Sequence, residues 1–343
     1  MSVGASNKSS PSFPSSVVFA SLYLFIFIAG LLLNSMALWV FLQIRTQKRT
    51  FMLYLRNMAL ADLLMTLTMP ITVIEQTSLK PWWLPAISCR YTAVIFYCCM
   101  YANILFLGLV AVDRYLKIVR PFGGQFGNCL YSYSFTVAMA ITAWLVMVTL
   151  SLPNTILTNQ PVTPENASDC QKLKNEFGQM WHRMGIYINI VIFFLVLITL
   201  LFCYVTIYRY IRQSSEQFVI IDKQSQRKPK KGQNILVLLV VFSICFVPYH
   251  LWRVPFTQNQ TNDVYSPYVQ SILMCGKKVT LFLSSCNVCL DPIIYFFMCR
   301  PFRVKLAQTL GVWTYLENTL KKITTPERKT AVVLRFREGS TSV

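Results

Sequence analysis

Val17–Leu42 reads VVFASLYLFIFIAGLLLNSMALWVFL and carries no charged residue. About 20 mostly apolar residues suffice to cross the hydrocarbon of a bilayer as a helix. Val137–Ile156 and Met184–Tyr208 are also uncharged. Counting blocks that hold isolated charges, the chain has seven: Val17–Leu42, Phe51–Ile74, Cys89–Val112, Phe135–Leu157, Met184–Tyr208, Ile235–Leu251 with its continuation to Phe256, and Leu273–Met298. In lipid every backbone group must find its partner internally, so such blocks are helices. The alternating pattern of a membrane barrel is absent. Only 13% of the 343 residues are charged, where a soluble domain has about 25%. A soluble enzyme is thereby excluded. The fold expected is an all-α membrane protein, a seven-transmembrane helix bundle followed by a short amphipathic eighth helix. The first block is too long for a signal-peptide core and lacks a cleavage site, so it reads as a retained helix.

Orientation follows from the basic residues. With the N-terminus outside, 23 of the 32 lysines and arginines fall on the inner side and 9 outside or near outer helix ends. The net charge of +19 is therefore mostly a property of the inner face, suited to anionic membrane lipid. Charge split among loops between spans does not suit nucleic acid. The organisation expected is an extracellular segment 1–16, a seven-transmembrane domain 17–300, a membrane-surface helix 301–311 and a cytoplasmic tail 312–343. The sequons at Asn7, Asn166 and Asn259 all fall outside and are glycosylation candidates. Among 11 cysteines, Cys89 and Cys170 lie clearly at the outer, oxidising side, and a bridge between them is expected. Cys275 stays ambiguous.

Polar groups inside spans are costly and point to function. Asn34, Asp62, Asn103, Asn287 and Asp291 are such groups. Asp113-Arg114-Tyr115 closes the third block, Pro248 interrupts the sixth, and Asp291-Pro292-Ile293-Ile294-Tyr295 closes the seventh. A proline removes a helical hydrogen bond and kinks the helix. Residue by residue, seven-helix packing with polar glue would also account for them.

Taken in order, these landmarks closely resemble the rhodopsin-like G-protein-coupled receptors. Leu60-Ala61-Asp62, Trp144, Phe242 and Cys245-Phe246-Val247-Pro248 extend the likeness over roughly residues 17–310. The resemblance implies that Asp113, Arg114 and Tyr115 engage a heterotrimeric G protein after the sixth helix swings about Phe246 and Pro248. Pro292 would hinge the seventh, and Tyr204 and Tyr295 would steady the active arrangement. Asp62, Asn103, Asn287 and Asp291 would form a sodium-linked cluster. No cofactor is implied beyond that allosteric ion, and no other metal. Position 228 is Lys, so an acidic partner for Arg114 at the base of the sixth helix is missing.

Absences narrow the ligand. Phe96 stands where amine receptors of this family carry aspartate, and Ser285 where opsins carry the retinal lysine. Present instead is an outer basic set: Arg90, Lys174, His182 opening the fifth helix, Arg253, and Lys277 with Lys278 opening the seventh. Lysine and arginine converging under a loop suit phosphate, and Tyr97, Tyr101 and Tyr249 offer aromatic faces to a ring. Solvated charge at helix ends is the plainer account of the same residues. The strings Phe246-Val247-Pro248-Tyr249-His250, Arg253-Val254-Pro255-Phe256-Thr257 and Leu152-Pro153-Asn154 look like the purinergic nucleotide receptors, in the branch responding to ADP or UDP-sugars and including orphan and lysophospholipid receptors. That likeness implies a ligand site of Tyr97, Asn154, Lys174, His182, Arg253, Gln260 and Lys277. Ile186, Phe256 and Lys278 depart from it, standing for an asparagine, a tyrosine and a glutamate.

The reading is a plasma-membrane, multi-pass receptor for an extracellular anionic small molecule, a nucleotide or nucleotide-sugar, signalling through an inhibitory G protein. A lysophospholipid is the alternative ligand. A transporter or channel is the alternative class, which would favour internal repeats or broken, glycine-rich spans. Cys299 is a candidate for palmitoylation or for packing. The terminal Val343 is a candidate for a PDZ pocket.

Overall fold

The computed structural model describes residues 16–44, 50–77, 79–119, 130, 132–221, 233–262 and 266–311, without the side chains of 214–221, 233–235 and 260–262. Seven helices in it are long and apolar enough to cross a membrane. They are α1 (Ser16–Gln43), α2 (Thr50–Glu75), α3 (Leu84–Val119), α4 (Tyr133–Ile156), α5 (Glu176–Ile221), α6 (Gln233–Asn262) and α7 (Pro267–Met298). A short α8 (Arg300–Thr309) follows. No strand occurs among the described residues.

Several helices exceed the apolar blocks that announce them. α3 starts at Leu84 instead of Cys89, α5 runs on to Ile221, and α7 starts at Pro267 instead of Leu273. Once nucleated in lipid, a helix extends into water at little cost per residue. Those polar turns leave no hydropathy signal. Two residues of the basic set are repositioned by this. His182 lies nearly two turns inside α5, and Lys277 and Lys278 lie about three turns inside α7, so none opens its helix.

α3 is the axis of the bundle. In its most apolar stretch 67% of residues are buried, against 22% in α1 and in α4, whose remaining surface faces the lipid. Proline sets the breaks, and side chains of other helices bond to the backbone beside them. Pro292 cannot donate to the carbonyl of Val288. Asn34 Nδ2, from α1, donates to it instead at 2.7 Å. Around Pro248 the Cys245 carbonyl accepts from Ser284 Oγ of α7 at 2.9 Å. The C-terminal half of α6 and the N-terminal half of α7 meet closely: Trp252 Nε1 donates to the Leu273 carbonyl at 3.0 Å. The indole lies over Gly276, where any Cβ would collide with it.

At the far end, basic residues close helix ends. Arg56 donates to the Phe41 carbonyl at 2.6 Å, and Arg303 donates to Phe296 and Phe297 at 2.8 Å. These carbonyls belong to last turns, which lack intrahelical donors. α8 tucks Phe302 against Phe41, ring centroids 4.9 Å apart. Cys299 is fully buried beside it, which favours packing over lipidation.

Candidate functional site

The two ends of the bundle are marked by different chemistry. One carries a disulfide between Cys89 and Cys170, Cα atoms 5.5 Å apart. Cys275 is a free thiol. The bridge ties α3 to the loop between α4 and α5. Arg90 reinforces it, since its guanidinium donates to the Gln160 carbonyl at 2.6 Å and its own carbonyl accepts from Thr155. Arg90 thus faces the loop. In the same loop Asn166 is engaged in a turn, accepting from Thr163 N and donating to Pro161.

Beneath the loop the basic residues converge. Lys174 is buried and donates to Thr158 Oγ1 at 2.7 Å. Burial without a counter-charge pushes its ammonium down to about 8. Arg253 is 6% exposed. Arg253 and Lys277 flank the Phe256 ring, at 5.6 and 4.4 Å from its centroid. His182 lies within electrostatic reach of Lys174, Arg253 and Lys277, and shares a hydrogen bond with Asn154 Oδ1 at 3.2 Å. The amide oxygen only accepts, so His182 Nδ1 carries the proton. Among the described residues no carboxylate pairs with Lys174, Arg253 or Lys277. Two buried cations and a half-buried third without a carboxylate are an incomplete electrostatic arrangement, and an anion would complete it.

The floor is aromatic. Tyr97 and Tyr249 stack with centroids 6.4 Å apart. Tyr101 meets His250, whose Nε2 lies 3.2 Å from the Tyr101 hydroxyl. His250 Nδ1 donates to the Phe246 carbonyl at 2.8 Å, so Nε2 accepts from Tyr101. The imidazole also stacks on Phe193 of α5, centroids 3.7 Å apart. His250 therefore joins α3, α5 and α6 directly below the cations. In the sequence it stands out only as part of a string; its contacts come from other helices. Of the expected ligand set, Tyr97, Tyr101, Asn154, Lys174, His182, Tyr249, Arg253 and Lys277 lie at this end. The Gln260 side chain lies outside the described residues. Asn259, a sequon residue, sits within α6 with its Oδ1 buried. A cavity of about 260 Å³ opens on the α1, α2 and α7 side of Tyr97 and Lys277.

Midway down, Asp62 accepts from Asn103 Nδ2, from Asn287 Nδ2 at 3.4 Å and from the Tyr295 hydroxyl at 3.4 Å. Neither oxygen of Asp291 receives an N–H or O–H donor; its neighbour is the Asp62 carboxyl. The side-chain oxygens of Asn34, Asn103 and Asn287 are likewise buried and without donors. An all-oxygen set of this kind fits a hard cation such as sodium. Among the described residues no cluster of three or more His, Cys, Asp or Glu suits another metal.

At the other end Asp113 accepts from Thr50 Oγ1 at 2.6 Å and pairs with Lys117 at 2.7 Å and with Arg114 at 3.3 Å. The Arg114 guanidinium also lies 3.8 Å over the Phe51 ring. Tyr204 has a buried hydroxyl without a hydrogen-bond partner, while Tyr295 reaches toward Asp62. The two tyrosines are therefore not joined here. Position 228, Asn7 and Val343 lie outside the described residues.

The family profile "7 transmembrane receptor (rhodopsin family)" matches residues 33–295. The chain belongs to the rhodopsin family of seven-transmembrane receptors. Within it, mouse (Mus musculus) G-protein coupled receptor 87 is 47% identical over 302 residues, covering 88% of this chain and 82% of the relative. Bovine (Bos taurus) purinoceptor 14 is 41% identical over 291 residues, 85% of each chain. Human (Homo sapiens) purinoceptor 13 is 41% identical over 290 residues, 84% of this chain and 80% of the relative. The protein is thus a G-protein-coupled receptor of the branch that holds purinoceptors 13 and 14 and G-protein coupled receptor 87, a multi-pass membrane protein and not an enzyme.

Proposed function

We propose that this receptor binds an extracellular organic phosphate, a nucleotide or nucleotide-sugar, at the disulfide end, and signals through an inhibitory G protein. The observation that carries it is the gathering of buried Lys174 and Arg253 with half-buried Lys277, none of them paired with a carboxylate among the described residues. Relatives named purinoceptors support the ligand class. In this reading residues 1–16 are extracellular and 312–343 cytoplasmic. The phosphate lies between Arg253 and Lys277, and Lys174 closes over it from the loop. A ring stacks on Tyr97 and Tyr249. Asp62 and Asp291 with the asparagine oxygens would hold a sodium ion, which would supply a positive charge to balance the two carboxyls.

The signal path uses His250. A ligand that shifts Arg253 on α6 shifts the turn containing His250 and Phe246, and Pro248 lets that turn move. The far end of α6 then leaves Arg114 for the G protein. Coupling of this kind requires a two-state bundle with different contacts in each state.

The test is a concentration–response series with ADP and UDP-sugars, read as cyclic AMP at matched surface expression. Truncating one partner of a buried charge pair costs about 2–5 kcal/mol. Arg253→Ala and Lys277→Ala should each raise the agonist concentration needed by at least about tenfold, allowing for partial solvation. Curves that stay in place return these charges to the status of helix-end cations. A lysophosphatidic acid arm tests the alternative ligand: a response to it alone, lost in Arg253→Ala, keeps the phosphate site and replaces the nucleotide.

A further inference from the structure

The cavity of about 260 Å³ on the far side of Tyr97 and Lys277 is not needed for phosphate at Arg253. Its apolar walls include Phe19 and Tyr23 of α1 and Phe96 and Tyr97 of α3. Glu75, the last residue of α2, lines it, and so does Lys278 of α7. Ser88 lines it beside Glu75, and Lys80 lies within electrostatic reach of Glu75. Among the described residues neither Glu75 nor Lys278 forms an ion pair.

A carboxylate and an ammonium lining one cavity attract each other, yet here they stay apart. The void between them is therefore flanked by a negative and a positive group, and its electrostatic complement is a zwitterion. The walls narrow the choice further. Aromatic faces attract alkylammonium groups, and Glu75 is the matching counter-ion. Lys277 and Lys278 suit an anion as point charges. Ligand pockets usually run to about 300–1,000 Å³, so this space fits a head group better than a whole ligand.

We propose that this cavity is a head-group subsite for an organic phosphate that also carries an alkylammonium group. The ammonium lies against Glu75 and the aromatic walls, and the phosphodiester lies on Lys277 and Lys278. The inference rests on reading the disulfide end as the ligand-binding face, and it narrows the ligand there. A nucleotide has no such cation and would use the Arg253 side alone.

The probe is phosphocholine, with choline and inorganic phosphate as controls. Binding is measured by calorimetry on full-length receptor in nanodiscs of phosphatidylglycerol, which contain no choline head groups. Phosphocholine should bind at least about tenfold more tightly than either control. Glu75→Gln should bring it down to the level of phosphate, and Lys278→Gln to the level of choline. Should Glu75→Gln fail to fold, Tyr23→Leu carries the same test, lowering phosphocholine affinity but not phosphate affinity. Phosphocholine binding no tighter than phosphate on the unaltered receptor, or undiminished in Glu75→Gln, overturns the proposal. The agonist series at Arg253 tests the parent reading and this series tests the subsite, so each can fail alone.

Discussion

The two ends of this bundle handle positive charge in opposite ways. At the Arg114 end the cations have partners: Arg114 has Asp113 and the Phe51 ring, Lys117 has Asp113, and Arg56 and Arg303 have helix-end carbonyls. At the disulfide end buried Lys174 and Arg253 and half-buried Lys277 have hydroxyl and ring neighbours but, among the described residues, no carboxylate. One end must be undone to act; the other must be completed. A receptor needs that asymmetry, because a ligand that completes one end can supply the free energy that loosens the other.

The largest effect is expected at Arg114. Arg114→Ala should abolish G-protein activation while leaving ligand affinity within about twofold. Arg114 follows Cys89 by 25 residues along α3. At about 1.5 Å per residue that is on the order of 37 Å from the ligand end. Nucleotide exchange on reconstituted receptor, paired with equilibrium binding, checks both halves. Normal exchange at matched expression would remove Arg114 from the mechanism and dissolve the contrast between the ends.

Next comes the protonation of Lys174. Its pKa is depressed to about 8 by burial. Phosphate favours the charged form, so bound ligand raises that value. Affinity is therefore full below pH 8 and falls as pH rises above it. A phosphate with a second pKa near 6 is already ionised and does not offset the loss. Between pH 7 and pH 9 agonist affinity should drop by about tenfold, because one of those two pH units lies above the pKa of Lys174. Arginine stays charged throughout, so Lys174→Arg should lessen the drop. A flat profile in the unaltered receptor would mean that Lys174 does not meet the anion.

Phe51 offers a smaller test of the paired end. A cation over an aromatic face at a partly exposed site is worth about 0.5–1 kcal/mol. Phe51→Leu keeps the bulk and removes the ring, so ligand-independent signalling should rise about two- to fivefold. Unchanged basal signalling would assign the restraint of Arg114 to its other contacts.

The parts of the molecule legible in sequence are those with a one-dimensional signature. A span is a run of apolar residues, so all seven are countable. Cys89 and Cys170 can be paired because compartment singles them out. Phe51, His250 and Glu75 are invisible as site residues for a shared reason. Each depends on a neighbour brought from another helix: Phe51 on Arg114, His250 on Phe193 and Tyr101, and Glu75 on the rings of α1 that line the same cavity. A phenylalanine in an apolar block looks like lipid-facing bulk, and a glutamate ending one looks like a boundary. Helix extents beyond the lipid are hidden too, because the polar turns before Leu273 carry no apolar run.

Arg90 should give the smallest effect, and it sharpens how the ligand end is assembled. Its guanidinium holds the Gln160 carbonyl, and Gln160 N in turn donates to Leu173, the residue before Lys174. Arg90 thus acts on the ligand only by fixing the loop that carries Lys174. The disulfide restrains the same loop independently through Cys170, so losing one hydrogen bond loosens the loop without freeing it. Arg90→Ala should raise the agonist concentration needed by about two- to threefold, a few tenths of a kcal/mol. The decisive comparison is a double-mutant cycle. If Arg90 works through Lys174, adding Arg90→Ala to Lys174→Ala should change nothing further. Fully additive losses would instead place Arg90 against the ligand itself and enlarge the unpaired basic set to include it.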